Sequence, residues 1–166
     1  MIVTIMKKIK KTLIILIFIW MPFLSYAEKN STLELEAYFS AIIVSDFDTS
    51  INWYSNTLGF EVINRVESAE RGFKQSNLKR GDVLIELIQL NKAFKLADTV
   101  PKYNNKMRIV GFFKLGFLVK NFDKWLDHLT SEKVAFYGRV VTDEITGKRM
   151  VIITDPDSNR IQIFEK

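Results

Sequence analysis

From Tyr38 onward the chain alternates short apolar runs with polar turns. Phe39-Ser40-Ala41-Ile42-Ile43-Val44 has the length and β-branched content of a strand. Asp46 and Asp48 stand where a helix wants an N-cap, and Ile51, Tyr54 and Leu58 then recur at spacings of three and four. Gly59 ends that stripe as a left-handed C-terminal glycine does. Residues 60–63 read as a second strand and 73–78 as a weak third. After the turn residues Arg80-Gly81-Asp82, residues 83–90 read as a strong fourth.

The pattern then lapses and returns. Residues 91–110 hold Asn91, Pro101, Asn104, Asn105 and five basic residues (Lys92, Lys95, Lys102, Lys106 and Arg108), which predicts a long connector with a short helical turn at 93–97. Residues 111–119 read as a strand, and Phe122-Asp123 opens a helix running through Leu126 and Leu129. Strands follow at 134–137, 140–142, 150–154 and 160–164, with Asp155-Pro156-Asp157-Ser158-Asn159 as a turn. Val44, Phe47 and Asp48 match Val119, Phe122 and Asp123 at a constant offset, and Ile85 and Leu87 match Ile161 and Ile163 one residue further on. The chain therefore reads as one β-α-β-β-β unit used twice. A single such unit leaves a sheet face and its edges uncovered, so two together are expected to form the core.

The amino-terminal segment has a different character. Lys7, Lys8, Lys10 and Lys11 precede an apolar run over 13–24, and Ser25-Tyr26-Ala27 places small residues at −3 and −1 of a cleavage site. This predicts a secretory signal over 1–27 and a polar lead-in over 28–37. The run is shorter than the roughly 20 residues of a spanning helix, so no stable membrane anchor is expected after cleavage. An uncleaved signal anchor is the alternative. The full chain carries a net charge of +5, but the four lysines of 1–27 supply most of it, and the remainder is close to neutral. Nucleic acid is therefore not an expected partner. The absence of cysteine excludes disulfides, thiolate metal sites and a cysteine nucleophile, and the single histidine excludes any site needing two imidazoles from one chain. The expected location is the periplasm or the medium.

The blocks Val44-Ser45-Asp46-Phe47-Asp48, Trp53-Tyr54 and Leu58-Gly59-Phe60-Glu61-Val62 resemble the opening module of the vicinal oxygen chelate superfamily, which includes glyoxalase I, extradiol dioxygenases and the bleomycin resistance proteins. Asp155-Pro156-Asp157-Ser158-Asn159-Arg160-Ile161-Gln162 is similar to that superfamily's closing turn and strand. The resemblance covers 38–165 and implies an α+β fold. Two βαβββ modules, 38–92 and 111–165 joined by the connector 93–110, would form a curved mixed sheet around a concave pocket. Such a fold hosts several chemistries and also plain binding.

Metal-dependent members of the superfamily hold a divalent ion at four positions, which the resemblance carries here onto Phe39, Glu86, Lys114 and Gln162. Phenylalanine has no lone pair to offer and lysine is a cation without an acceptor, so no metal cofactor is expected. If an ion were held, Glu86 and Gln162 would be its remaining ligands. A one-residue register shift offers Ser40 and Leu115, which serve no better. The four residues are expected instead to line a ligand pocket. Lys114 and Glu86 would pair as its polar floor, or Lys114 would snorkel to the sheet edge beside a solvated Glu86. The expected function is metal-free small-molecule binding of the bleomycin-resistance type, with a homodimer as the expected assembly. A metal-dependent lyase, isomerase or dioxygenase, and an envelope scaffold with a degenerate pocket, are the alternatives. His128 is expected on the outer face of the second helix. Trp53, Tyr54, Phe112, Phe113 and Phe117 divide between core and pocket lining. Asp155, Asp157 and Asn159 are expected to form a turn, not a calcium loop.

Overall fold

In a computed structural model, which describes residues 36–104 and 110–166, side-chain alternation organises two sheets. The segment 1–27, most of 28–37, and Lys106 and Arg108 lie outside the described residues. In β4 (Val83–Leu90), Ile85 and Leu87 are buried while Leu84, Glu86 and Ile88 turn to the opposite, half-exposed face. β1 (Ser40–Ile43) runs parallel to β4, with Ala41 opposite Glu86. β2 (Glu61–Ser68) and β3 (Phe73–Arg80) complete the order β1-β4-β3-β2. Helix α1 (Phe47–Leu58) is buried through Phe47, Ile51, Tyr54 and Leu58. It starts because the Asp46 carboxylate accepts from Thr49 N at 2.8 Å, and it stops because Gly59 turns left-handed at φ 67°.

The second half repeats the plan. β5 (Leu115–Val119) runs parallel to β9 (Arg160–Glu165), with Gly116 opposite Gln162. β8 (Arg149–Thr154) lies antiparallel to β9, and β6 (Ala135–Phe136) and β7 (Val141–Thr142) both pair with β8 as two pieces of one interrupted edge. α3 (Phe122–Ser131) is its helix, and α2 (Leu96–Thr99) is a single turn in the connector. No helix among the described residues is long and apolar enough to cross a membrane.

One apolar cluster runs through both halves, from Phe47, Tyr54 and Leu87 to Phe122, Leu129, Ile153 and Ile163. Each such fully buried side chain contributes about 1.5–3 kcal/mol. Phe60 meets Phe117 across the halves at 6.1 Å, and Tyr54 Oη donates to Asp155 Oδ2 at 3.0 Å.

Several expectations need correction. β2 and β3 each extend to eight residues, because their polar stretches pair as ladders whose outer face is solvated. The strand expected over 111–119 begins only at Leu115. Its partner β9 starts at Arg160, directly after a turn, so earlier residues have no strand opposite them. The connector turn lies at Leu96–Thr99 and not at 93–97. His128 is not on an outer face: it is half-buried, with Nε2 2.9 Å from Thr57 O at the end of α1 and its ring edge-on to Trp125. A helix's own periodicity does not reveal that a second helix ends against it.

Candidate functional site

The turn between β8 and β9 ties the halves together. The Asp155 carboxylate accepts from Tyr54 Oη, Asn159 N at 2.8 Å, Asn159 Nδ2 at 2.9 Å and Asp157 N at 3.0 Å. Burial pushes its pKa up, against the downward pull of those donors. Burial and the neighbouring Asp155 also push the Tyr54 phenol far above its ordinary range, so it stays a donor. Asp157 is partly buried, which alone would raise its pKa. Bonds from Ser45 N at 2.8 Å and from Ser45 Oγ, with Lys95 Nζ at 3.1 Å, outweigh that and hold it below the usual carboxylate range. Lys95 thus pins the start of the connector helix to the second half. The expected turn is what these atoms build.

Beside this clasp lies a cleft of about 1270 Å³. Its lining comes from the C-terminal ends of β1 and β4, from α2, and from the N-terminal approach to β5. At the β5 approach the Arg160 guanidinium sits 4.2 Å from the Tyr137 ring centre and 4.8 Å from that of Phe113, and Lys114 Nζ lies 5.8 Å from the Phe113 centre. These are cation–π distances. Phe112 is 81% exposed and Phe113 51%, far more than apolar side chains in a core.

The four positions carried over from the resemblance separate here. Lys114 lines the cleft. Phe39 precedes β1, is half exposed and packs edge-on against Tyr38. Glu86 accepts from Gln75 Nε2 within its own sheet. Gln162 is buried, its Nε2 3.0 Å from Met150 Sδ. The expected Lys114–Glu86 ion pair is not formed among the described residues: Glu86 is held by the neighbouring strand, and Lys114 leans over Phe113. Of the aromatic residues divided between core and pocket, Tyr54 is fully buried yet borders the cleft, Phe117 packs against the core, and Phe112 and Phe113 line the cleft.

Glu86, Gln162, Phe39 and Lys114 do not form a donor set for a divalent ion. One carboxylate and one amide, both already bonded, stand with an aromatic ring and an ammonium, where a hard cation needs several free oxygens. Among the described residues no three His, Asp or Glu side chains gather as ligands.

Arg160, Tyr137 and Phe94 were not singled out as site residues from the sequence. Arg160 was within reach of the alternation rule: it stands two residues before Gln162 on the same face, and the pairing of Leu115 with Ile161 sets it beside Lys114.

A family model described as the Glyoxalase/Bleomycin resistance protein/Dioxygenase superfamily matches residues 38–163. The uncharacterized protein YwkD of Bacillus subtilis (strain 168) is 33% identical over 127 residues, which is 76% of this chain and 93% of YwkD. The crystal structure of SMU.1112c superposes with a TM-score of 0.66 at 28% identity, covering 80% of this chain and all of that one. That of the glyoxalase family protein from Enterococcus faecalis gives 0.66 at 25% identity, over 78% and 97%. The repeated modules, the closing turn that bonds Tyr54 and these matches together establish that the chain belongs to the glyoxalase/bleomycin resistance protein/dioxygenase superfamily.

Proposed function

We propose that this protein is an exported small-molecule-binding member of its superfamily that holds its ligand without a metal ion. The observation that carries the reading is the pairing of a large, aromatic-lined cleft with a set of inherited ligand positions whose chemistry does not suit a cation. The cleft offers stacking faces at Phe113 and Tyr137 and fixed charges at Lys114 and Arg160. Such a surface recognises a flat or apolar body and orients its polar end. Among the described residues, Asp157 of the lining is bonded to Ser45 and Lys95, and the neighbouring Asp155 to Tyr54 and Asn159. Export is supported by the basic, apolar and small-residue succession of residues 1–27.

The test uses chain isolated from the envelope or the medium, which is expected to begin at Glu28. Phenylnaphthylamine, an uncharged fluorescent probe, is titrated with and without a chelator. Saturable one-to-one binding that the chelator leaves unchanged supports the reading. Absence of saturable binding, or its loss on chelation, overturns it.

A further inference from the structure

Resting on the binding reading above, we infer that the ligand is a short extended peptide that adds as a further strand along the open edge of β1. β1 ends the order β1-β4-β3-β2, so a strand lies along only one of its sides. In a ladder, successive residues turn their N–H and C=O to one side and then the other. Val44 N donates to Ile88 O at 2.8 Å, and Ile42, opposite Leu87, is in the same phase, so both face β4. Ala41 and Ile43 therefore turn their N–H and C=O outward. Ser45 is next in that phase, and its outward N donates to Asp157 Oδ2 at 2.8 Å. Asp157 also lines the cleft, as do all residues from Ala41 to Ser45. The outward groups of Ala41 and Ile43 thus open into the cleft, and among the described residues no strand pairs with them.

Proteins blunt an exposed strand edge with charges, bulges or very short strands. The outer edges of both sheets are treated in this way. β2 carries Glu61, Arg65 and Glu67 and a break in register between Val62 and Asn64, and β6 and β7 are fragments of two residues each. β1 is Ser-Ala-Ile-Ile, without charge, proline or bulge. β5, the inner edge of the second sheet, is equally uncharged, and its first residue reaches the same cleft. The unblunted edges are thus the ones that border the cleft. What complements such an edge is another backbone. A peptide run antiparallel exchanges both bonds with Ala41 and, two residues along, both with Ile43, so about three of its residues fill the opening. Ile43 is 55% exposed and Phe94 70% within the same lining, which favours apolar side chains on the peptide. The edge strand of a second folded copy fits less well, because Asp157 reaches the edge at Ser45 and closes that end to a long strand.

In the experiment, a pool of capped pentapeptides built from Val, Phe, Thr and Lys is equilibrated with chain isolated as above, and the retained peptides are read by mass spectrometry. Peptides are expected to be held. A retained peptide is then remade with N-methyl groups on alternate residues, in both phases. One phase is expected to bind about tenfold more weakly and the other little changed, because a strand turns only every second N–H to its partner. Ile43→Pro removes an outward N–H that the β1–β4 ladder does not use and is expected to weaken the peptide about tenfold, whereas Ile43→Val, which keeps that N–H, stays within about twofold. Should Ile43→Pro fail to fold, the N-methyl comparison on the unaltered chain decides alone. Retention of no peptide while phenylnaphthylamine still binds, or equal losses in the two phases, overturns the peptide assignment and leaves the binding reading standing. A dimer by light scattering that Ile43→Pro splits gives the edge to a second copy and overturns the assignment as well. Failure of both the peptides and phenylnaphthylamine to bind overturns both.

Discussion

The two modules solve one packing problem with partly different residues. Phe47 and Phe122 occupy equivalent places and both are buried beneath an arginine, Arg65 at 4.8 Å and Arg149 at 5.0 Å. Each arginine pairs with the aspartate that follows the phenylalanine, Asp48 or Asp123, at 2.8 Å, and with a second carboxylate, Glu67 or Glu165. Yet Arg65 stands on β2, whereas Arg149 stands on β8, the counterpart of β3. The buried helix–sheet contact keeps its residues in register, while the cation above it arrives from whichever strand supplies one. The helix ends differ more. α1 has a side-chain cap, a left-handed glycine and six buried residues; α3 begins at Asn121 without a side-chain cap and buries two. The edge of the first sheet is one eight-residue strand, and that of the second is two fragments of two residues each. The second module is thus locally less well specified and depends more on its partner. The partner responds through Tyr54 to Asp155, and through Arg80, whose guanidinium lies 4.9 Å from the Trp125 ring centre.

The largest expected effect tests that dependence. Phe47→Ala and Phe122→Ala are each expected to cost about 3–5 kcal/mol in urea unfolding, as one cooperative transition. A biphasic curve, with one module melting alone, would contradict the shared core. Next, Tyr54→Phe leaves a buried Asp155 oxygen short of a donor and is expected to cost about 1–3 kcal/mol, whereas Leu129→Met at the equivalent place should cost less than about 1.5 kcal/mol by the same assay. Equal losses would mean that the bond to Asp155 contributes little.

The smallest effect is one of pH. Asp157 has a depressed folded pKa, so its contribution is present above the unfolded value near 4 and is lost as pH falls through the folded value. Asp155 runs the other way: with a raised folded pKa, its contribution is complete below the unfolded value and declines as pH rises through the folded one. Melting temperatures of Asp157→Asn should therefore fall less steeply than those of the parent below about pH 4. An unchanged acid limb would remove the clasp from the account.

How far the sequence was legible follows from these contrasts. The helix limits were readable because Asp46, Gly59 and Phe122 carry their own local signals. The strong strand 83–90 was readable because Ile85 and Leu87 alternate with residues on a half-exposed face. β2 was cut short at residue 63 because the polar positions from Asn64 to Ser68 carry no apolar alternation at an open edge. At the cleft, Lys114 is among the lining residues, and Phe39, Glu86 and Gln162 are not. Glu86 was expected to reach across to Lys114, but its neighbour Gln75 on β3 takes it first, a contact fixed by strand pairing and not by sequence proximity. His128 and Arg80 serve the far ends of helices in ways that spacing along one helix does not reveal.

The central claim is that the inherited ion-holding positions no longer grip a cation. Calorimetric titration of Zn²⁺, Ni²⁺ and Mn²⁺ into the chelator-treated protein tests it most directly. The account predicts no saturable one-to-one site that depends on these residues. Stoichiometric binding abolished in both Glu86→Ala and Gln162→Ala would contradict it.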